Sequence, residues 1–411
     1  MKNIVILGGG AAGMAAAVAA AEEAAGRARV ILLEQNSRVG KKLLATGNGR
    51  CNLDNQTISP KCYFTSDPKA MAKMLQAIGA ADPLGWLEQH GLLWRADEAG
   101  RIYPYSNQAS DMLNLLLHML EKAGVEVRTD CAASSVEAAA NGYRITLSDG
   151  QTLAADAVIC ALGGSAGPQF GTDGFGPQLA ERFGLEVQPL YPCLVPLKCK
   201  KSQVSGLAGI RVKADAALYD GGKLIRAESG EIQFTDYGLS GIAIMQLSGM
   251  LKPNRLRRPE ISLDLFPHLS EKELLTLLHR HKQAMGKVSA ADFMTGLLNY
   301  KVGLAVWKSL GLGDAKRPVA ELSKEEWQAL ACGFKNWRFT ELEDTGWKNA
   351  QTTGGGIALS QLQTESFGLK NRPGLYFVGE TVDCAGSCGG YNLHWAFGSG
   401  ILAGRHAASQ L

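Results

Sequence analysis

Three glycines near the start of the chain have the spacing of a phosphate-binding turn. Gly8, Gly10 and Gly13 follow a short apolar segment and precede an alanine-rich stretch. The first glycine permits a tight turn, the second lets the backbone approach a pyrophosphate, and the third lets a helix pack against the strand. A helix beginning at Ala11 and Ala12 would direct unpaired N–H groups at the phosphates. A glycine-rich turn without a ligand is the alternative.

A carboxylate follows at the distance expected for recognition of a ribose. Glu34 ends a second apolar strand, residues 29–34, and lies 21 residues after Gly13. A carboxylate at this point accepts hydrogen bonds from a ribose diol and repels a 2′-phosphate. We predict that Glu34 and its neighbour Gln35 contact the nucleotide. The order strand, turn, helix, strand and acid fits either NAD or FAD.

Two later segments favour FAD over NAD. Ala161, Leu162 and Gly163 end a buried strand, and Gly379 and Glu380 follow another strand near the C-terminus. This three-part layout resembles the FAD-binding fold of the glutathione-reductase type. The resemblance implies that the first motif holds the ADP half, the second closes over the cofactor and the last acid meets the ribityl chain. A simple NAD dehydrogenase has no use for the last two segments.

A glycine pair precedes the last predicted helix, which is expected to begin at about Asn392. The first N–H groups of such a helix would point at the pyrimidine edge of a flavin and stabilise negative charge on its reduced form. An ordinary capped surface helix is the alternative. The predicted cofactor contacts in this segment are Gly389, Gly390, Tyr391, Asn392 and Leu393.

The glycine-rich stretch at residues 40–52, GKKLLATGNGRCN, resembles the signature of a bacterial flavoprotein family, the BaiN-like or aminoacetone-oxidase-like NAD(P)/FAD-dependent oxidoreductases. Residues 100–104, 234–241 and 389–392 match the same family. Asn48 stands where the family usually has Gly, and Asp236 stands where a His is expected. The resemblance implies an FAD domain built from both chain ends, with an inserted β-barrel and helical domain.

The same stretch supplies further predicted cofactor contacts. Arg50 and Asn52 can donate to flavin carbonyls or ring nitrogens, and Lys42 can meet phosphate. Each could instead be a surface salt-bridge partner. A second loop, residues 171–176, either lines the flavin cavity or is only a tight connection. The contacts predicted here are Lys42, Thr46, Gly47, Gly49, Arg50, Cys51, Asn52 and, farther along the chain, Ala133.

No catalytic residue is assigned from the sequence. Tyr391, His394 and Tyr237 are weak candidates for proton transfer, and Cys51 could face the isoalloxazine or simply pack in the core. Because flavin N5 takes the hydride itself, the protein need only position the substrate and one proton donor. Cys384 and Cys388 could form a redox-active dithiol, although small buried thiols are the simpler interpretation.

The fold class predicted for the 411 residues is α/β, with a Rossmann-like FAD-binding domain and an insertion. The FAD-binding domain is expected to comprise residues 1–190 and 346–411. The insertion is expected at 191–345, with a β-barrel at about 191–260 and helices at about 266–335. Further helices are predicted over 11–25, 68–90, 110–123 with Ser110 as N-cap, about 177–183, and the last 20 residues. Residues 40–54 are predicted to be a loop.

Composition narrows the function classes. Apolar residues make up 46% and charged residues 20%, as in globular proteins, and no apolar run is long enough to span a membrane. The net charge of +3 is too small to indicate a nucleic-acid partner by itself. Nine cysteines scattered without metal-ligand spacing are typical of cytosolic thiols, so we expect a cytoplasmic protein without a metal site. A bacterial origin is what the family resemblance implies.

The predicted function is an FAD-dependent oxidoreductase with non-covalent flavin and a small-molecule substrate. No second glycine-turn unit is visible, so NADH or NADPH would reduce the flavin at the face that the substrate uses. The acceptor would be a small organic molecule, with unsaturated compounds among the options. Alternatives are an amine oxidase using dioxygen, an FAD-dependent tRNA-modifying enzyme, and a flavin redox sensor. The RNA alternative would use two basic clusters, Lys198, Lys200 and Lys201 and Arg255, Arg257 and Arg258.

Overall fold

A computed structural model describes all residues from Met1 to Leu411. Its helices are α1 (Ala11–Ala24), α2 (Lys41–Ala45), α3 (Pro68–Ala81), α4 (Pro83–Gln89), α5 (Ala109–Lys122), α6 (Phe175–Arg182), α7 (Lys201–Val204), α8 (Ile242–Ser248), α9 (Glu271–Met285), α10 (Ala290–Phe293), α11 (Tyr300–Ser309), α12 (Lys324–Lys335) and α13 (Tyr391–Ser409). Its strands are β1 (Lys2–Leu7), β2 (Ala28–Leu33), β3 (Asp54–Asn55), β4 (Tyr63–Phe64), β5 (Trp94–Ala96), β6 (Arg101–Pro104), β7 (Glu126–Arg128), β8 (Ala133–Ala139), β9 (Gly142–Leu147), β10 (Thr152–Ala155), β11 (Ala157–Cys160), β12 (Val187–Cys193), β13 (Leu197–Lys198), β14 (Arg211–Asp220), β15 (Lys223–Phe234), β16 (Gly238–Ser240), β17 (Pro259–Asp264), β18 (Trp337–Phe339), β19 (Glu343–Asp344), β20 (Thr352–Ile357), β21 (Gly368–Leu369), β22 (Arg372–Phe377) and β23 (Ala385–Gly386).

The chain forms two compact units. The first consists of Met1–Cys193 and Ala350–Leu411, and the second, which we call the inserted unit, of Leu194–Asn349. The boundaries expected from the sequence fell at 190/191 and 345/346. Whether each unit folds as an independent domain stays a prediction.

A six-stranded sheet in the order β21-β22-β11-β1-β2-β7 organises the first unit. All neighbours pair in parallel except β21, which is antiparallel to β22. The apolar runs at the ends of β1 and β2 are fully buried, as expected for strands of a parallel sheet that is covered on both faces. This arrangement confirms the predicted Rossmann-like fold class.

Helix α13 lies in close contact with α1 because both present small residues at their interface. A Cβ atom at Gly400 would lie 2.3 Å from the Ala12 carbonyl oxygen, and one at Gly404 would lie 2.3 Å from that of Ala16. Alanine and glycine let the two helix backbones approach in this way. The C-terminal helix is thereby fixed against the helix that follows the glycine turn.

The helical region predicted over 68–90 is two helices, α3 and α4. Asp82 separates them with a φ of 46°, and its carboxylate accepts a hydrogen bond from Gly85 N at 3.0 Å. Pro83 begins the second helix, since its missing N–H costs nothing in a first turn.

Other element boundaries can be compared with those expected. Helix α5 begins at Ala109 with Gln108 as its N-cap, not with Ser110. Helix α13 begins at Tyr391, which agrees with the expected start at about Asn392. Residues 40–54 are not entirely loop, because good helix formers after Gly40 make the short helix α2.

The inserted unit is built on a seven-stranded antiparallel sheet, in the order β18-β17-β14-β15-β16-β13-β19. The long hairpin β14–β15 turns at Gly221 and Gly222, both with positive φ. Helices α9 and α12 of the inserted unit each begin with a capping box, at Ser270 and Ser323. None of the helices in the chain has the length and apolar character needed to cross a bilayer.

Candidate cofactor-binding site

The first unit contains a cavity of about 360 Å³ that is lined by segments from all three predicted motifs. The cavity is also lined by four residues of the predicted loop at 171–176, Gly171, Thr172, Asp173 and Phe175, and by the preceding Phe170. The predicted cofactor contacts that the structure brings together around the cavity are Gly8, Gly10, Ala11, Ala12, Glu34, Gln35, Lys42, Thr46, Ala133, Ala161, Leu162, Gly163, Gly379, Glu380, Asn392 and Leu393. Their role in holding a cofactor stays a prediction.

The three glycines of the first turn differ in what surrounds them. Gly8 has a φ of +100°, and a Cβ there would lie 2.4 Å from the Ala161 carbonyl oxygen. A Cβ at Gly13 would lie 1.9 Å from the Gly8 carbonyl oxygen, so this glycine permits helix–turn packing. A Cβ at Gly10 would meet no protein atom within 4 Å. The open space beside Gly10, at the start of α1, fits a pyrophosphate.

Glu34 is held in place by donors of the protein itself. Its Oε2 accepts a hydrogen bond from Gly9 N at 2.8 Å, and its Oε1 accepts from Asn36 N at 2.8 Å and Asn36 Nδ2 at 2.6 Å. A carboxylate has about four acceptor sites, so this buried group keeps capacity for a ribose hydroxyl. Asn36, which is itself bonded by Lys41 Nζ at 2.7 Å, was missed by sequence reasoning.

Lys42 and Glu380 meet across the cavity wall, although they lie 338 residues apart in the chain. Lys42 Nζ lies 2.7 Å from Glu380 Oε2 and donates to the Ala166 carbonyl oxygen at 3.1 Å. This ammonium group, predicted to meet phosphate, is therefore partnered by a carboxylate. The charges of Lys42 and Glu380 neutralise each other at the position where the family resemblance places the ribityl chain.

Thr353 connects two of the predicted cofactor-binding motifs, although it belongs to no motif that the sequence analysis recognises. Its Oγ1 donates to Glu380 Oε1 at 2.7 Å and accepts from Ser165 N at 2.8 Å and Ala166 N at 3.0 Å. Its backbone N also donates to Glu380 Oε1, at 3.0 Å. One hydroxyl thus ties the loop after β11 to the acid after β22.

Five predicted contacts in the GKKLLATGNGRCN stretch do not line the cavity: Gly47, Gly49, Arg50, Cys51 and Asn52. Arg50 is exposed, with its guanidinium carbon 5.0 Å from the centre of the Tyr103 ring and its Nε bonded to the Gly47 carbonyl oxygen at 3.1 Å. Cys51 is fully buried, and burial raises its pKa to about 12. The structure therefore gives Cys51 no thiolate and Arg50 no contact with the cavity.

At the start of α13, Asn392 and Leu393 line the cavity whereas Gly389, Gly390 and Tyr391 do not. The first backbone hydrogen bond of this helix runs from His394 N to the Gly390 carbonyl oxygen, at 3.0 Å. The preceding N–H groups consequently have no acceptor within the helix. They provide a positive helix terminus at the cavity, which fits the negatively charged edge of a reduced flavin.

The acid–base candidates do not converge on the cavity. Tyr237 belongs to the inserted unit. Tyr391 lies 3.4 Å from Thr57 Oγ1 through its hydroxyl, and burial raises its pKa. His394 is 6% exposed, with Nδ1 3.0 Å from Asp54 Oδ1 and no hydrogen-bond partner for Nε2. None of the three lines the cavity, and a role for any of them in proton transfer stays a prediction.

Cys384 lines the cavity wall. It is buried, and burial raises the pKa of its thiol well above the ordinary value, which keeps it protonated. Cys388 Sγ lies 3.9 Å from Gln351 Oε1, and neither cysteine forms a disulfide. No cluster of three or more His, Cys, Asp or Glu residues is arranged to hold a metal ion.

Comparison with known proteins finds two relatives over most of the chain and a solved structure with the same fold. The chain is 35% identical over 389 residues to the 3-dehydro-bile acid delta(4,6)-reductase of Clostridium scindens, covering 94% of each chain. It is 29% identical over 379 residues to the ribosomal RNA dihydrouridine synthase of Escherichia coli, covering 90% of each. The 3-ketosteroid delta1-dehydrogenase of Sterolibacterium denitrificans shares its fold, with a TM-score of 0.50, 13% identity and full coverage of both chains.

A family model described as the HI0933-like protein Rossmann domain matches residues 2–406. The match covers nearly the whole chain, including the glycine turn and the start of α13. The chain therefore belongs to the HI0933-like family.

Proposed function

We propose that the chain is an FAD-dependent reductase that adds hydride to a carbon–carbon double bond conjugated with a carbonyl group. The observation that carries this proposal is the single cavity lined by Gly10, Glu380 and Asn392, one residue from each FAD motif. The names of the two relatives add the reaction class, because a delta(4,6)-reductase and a dihydrouridine synthase both saturate a double bond of this kind.

Different residues around the cavity would bind different parts of the cofactor. The N–H groups at the start of α1 would bind the pyrophosphate, and Glu34 would accept from the adenosine ribose. The Lys42–Glu380 pair would hold the ribityl hydroxyls, and the N–H groups before His394 would hold negative charge. FAD, when bound, supplies a two-electron carrier that accepts and donates hydride. Hydride addition to the β-carbon of the substrate leaves negative charge on its carbonyl oxygen, and a proton at the α-carbon completes the reduction.

NADH or NADPH is the proposed electron source. The first unit has one strand–glycine-turn–helix unit at Gly8–Gly13, so the nicotinamide would react at the flavin face and leave before the substrate enters. An anaerobic titration of the purified protein with NADH and then NADPH tests this. Bleaching of the flavin bands by either donor is expected. A flavin that is bleached by primary amines but not by NAD(P)H would overturn the proposal in favour of an amine oxidase.

A uridine in RNA is the second candidate substrate, and charge distribution favours it. The inserted unit, Leu194–Asn349, carries 23 Lys and Arg against 17 Asp and Glu, a net charge of +6. The first unit carries 19 against 22, a net charge of −3. The modest charge of the whole chain therefore conceals a basic unit, which is the property that attracts a polyanion.

The two basic clusters of the inserted unit differ in their availability to RNA. Lys198 Nζ lies 3.8 Å from Glu343 Oε2, and Lys200 Nζ lies 3.9 Å from Glu341 Oε1. Arg255, Arg257 and Arg258 are exposed and take part in no ion pair within 4.0 Å. We therefore expect the arginine cluster to contribute more to RNA binding than the lysine cluster.

The reduced protein distinguishes the two substrates. A 3-oxo-delta(4,6) steroid and a ribosomal RNA transcript are each added anaerobically, and reoxidation of the flavin is followed. If RNA is the substrate, reoxidation slows steeply with salt, and Arg257→Glu with Arg258→Glu slows it at least tenfold, about 1.4 kcal/mol. Lys198→Glu with Lys200→Glu, which changes the charge by the same amount, serves as the matched control. Rapid, salt-insensitive reoxidation by the steroid alone would exclude RNA.

A further inference from the structure

The loop of residues 51–57, which carries the end of the glycine-rich stretch, holds the two residues that precede α13 by side-chain amides. Asn55 Nδ2 donates to the Gly389 carbonyl oxygen at 2.8 Å. In the amide orientation that satisfies both of its ends, Asn52 Oδ1 accepts from Gly390 N at 3.2 Å and its Nδ2 donates to the Asp54 carbonyl oxygen at 3.3 Å. Two asparagines thus fix the two consecutive residues that precede the helix.

Asn55 is itself immobilised by its surroundings. It is 5% exposed, and its Oδ1 accepts from Thr57 N and Thr57 Oγ1, both at 2.8 Å. The side-chain amide therefore has one productive orientation, with its NH₂ group toward Gly389. A buried amide with every polar atom satisfied is rigid and costly to disturb.

The backbone of Gly389 and Gly390, which these amides hold, is constrained by its dihedral angles and by a close contact with β3. Gly389 and Gly390 have φ values of +129° and +101°, which favour glycine. A Cβ at Gly390 would lie 2.1 Å from the Asp54 carbonyl oxygen. Because the backbone of Gly390 rests directly on β3, a change in the loop must be transmitted to the start of α13.

We propose that Asn52 and Asn55 are positioning residues that set the reduction potential of the bound flavin through the start of α13. This inference rests on the proposed function. The two asparagines do not line the cavity, whereas Asn392 and Leu393, at the helix terminus they hold, do. The unpaired N–H groups at that terminus stabilise negative charge only at short range, so their position decides how strongly they favour the reduced cofactor.

The test measures the midpoint potential of the flavin in the holoenzyme for wild type, Asn52→Ala, Asn55→Ala and the double variant. Each single variant is expected to shift the potential to a more negative value. A tenfold loss of preference for reduced flavin corresponds to about 30 mV for a two-electron couple. Because both side chains act through one helix terminus, the shift in the double variant should be smaller than the sum.

Gln56→Ala is the matched control, since it removes an amide from the exposed neighbouring position of the same loop. Its potential should equal that of wild type. Hydrogen exchange of the cofactor-free proteins gives a second measurement. The amides of residues 390–393 should exchange faster in the asparagine variants than in wild type or Gln56→Ala.

Three outcomes would overturn the inference: folded asparagine variants that keep the wild-type potential, an equal shift in Gln56→Ala, or unchanged exchange at residues 390–393. Should Asn55→Ala fail to fold, Asn52→Ser tests the same point, because its shorter side chain loses the hydrogen bond to Gly390 N and leaves Asn55 intact. A wild-type protein that binds no flavin would instead refute the proposed function, so the two failures are distinguishable.

Discussion

The glycine turn at Gly8–Gly13 and the loop at residues 51–57 act on the cavity in different ways. The turn offers its backbone, since Gly10 has open space beside it and α1 begins there. The loop contributes amide side chains, which bind the glycine pair before α13 and do not line the cavity. One region would therefore contact the cofactor directly, and the other would act on it through a second element. Substitutions in the two regions should consequently fail in different ways.

The largest effect is expected from Gly13→Ala. The added Cβ would lie 1.9 Å from the Gly8 carbonyl oxygen, so the turn and α1 cannot keep their packing. We expect a loss of unfolding free energy on the order of 4 kcal/mol and loss of bound flavin. Urea denaturation and the flavin content of the purified protein measure both.

Gly10→Ala is the control that sharpens this prediction. Its Cβ would meet no protein atom within 4 Å, and its φ of −81° suits alanine. The free energy of unfolding should stay within about 0.5 kcal/mol of wild type, whereas FAD affinity should fall at least about tenfold. Equal loss of stability in the two variants would contradict a direct role of the turn's backbone in binding.

Glu34→Gln is expected to have the next largest effect. The carboxylate accepts three hydrogen bonds, from Gly9 N, Asn36 N and Asn36 Nδ2, and a glutamine amide would place its NH₂ group against one set of these donors. Leaving such a buried donor unpaired costs about 1–3 kcal/mol. Thermal unfolding of the cofactor-free protein should show the loss, and FAD titration should show weaker binding as well.

Sequence alone predicted the glycine turn and Glu34 because their roles depend on neighbours within one strand–helix–strand unit. It missed Asn36 and Thr353 because their partners follow from tertiary contacts: the Thr353 hydroxyl meets Glu380 and the backbone at Ser165 and Ala166. The position of Arg50 could not be predicted either, because left-handed residues, including Cys51 with a φ of +57°, turn the loop so that the guanidinium lies over Tyr103.

Whole-chain composition also hid information that the fold reveals. The net charge of +3 argued against a polyanionic substrate, yet it is the sum of a basic inserted unit and an acidic first unit. Charge therefore had to be counted over Leu194–Asn349, a range whose limits come from the structure. The same holds for Gly389 and Gly390 before α13, whose contacts with the loop join positions more than 300 residues apart.

The reactivity of the Cys51 thiol gives a further prediction about the loop, because Cys51 is buried and does not line the cavity. Its burial raises the pKa of the thiol to about 12, so the folded protein keeps it protonated as the pH rises from 7 to 9. Iodoacetamide should modify the exposed Cys332 and leave Cys51 unmodified across this range. Mass spectrometry of native and denatured samples checks this. Alkylation of native Cys51 at a rate within about tenfold of Cys332 would indicate that the loop opens.

The smallest effect is expected from Arg50→Ala, compared with Lys42→Ala. Lys42 lines the cavity and pairs with Glu380, so its loss should weaken FAD binding about tenfold, or 1.4 kcal/mol. Arg50 is exposed and contacts Tyr103 and Gly47 outside the cavity, so its loss should change FAD affinity less than about twofold. Fluorescence titration of the cofactor-free proteins measures both. If Arg50→Ala weakened binding as much as Lys42→Ala, the loop would have to contact the cofactor itself, and the distinction between direct and indirect action on the cavity would fail.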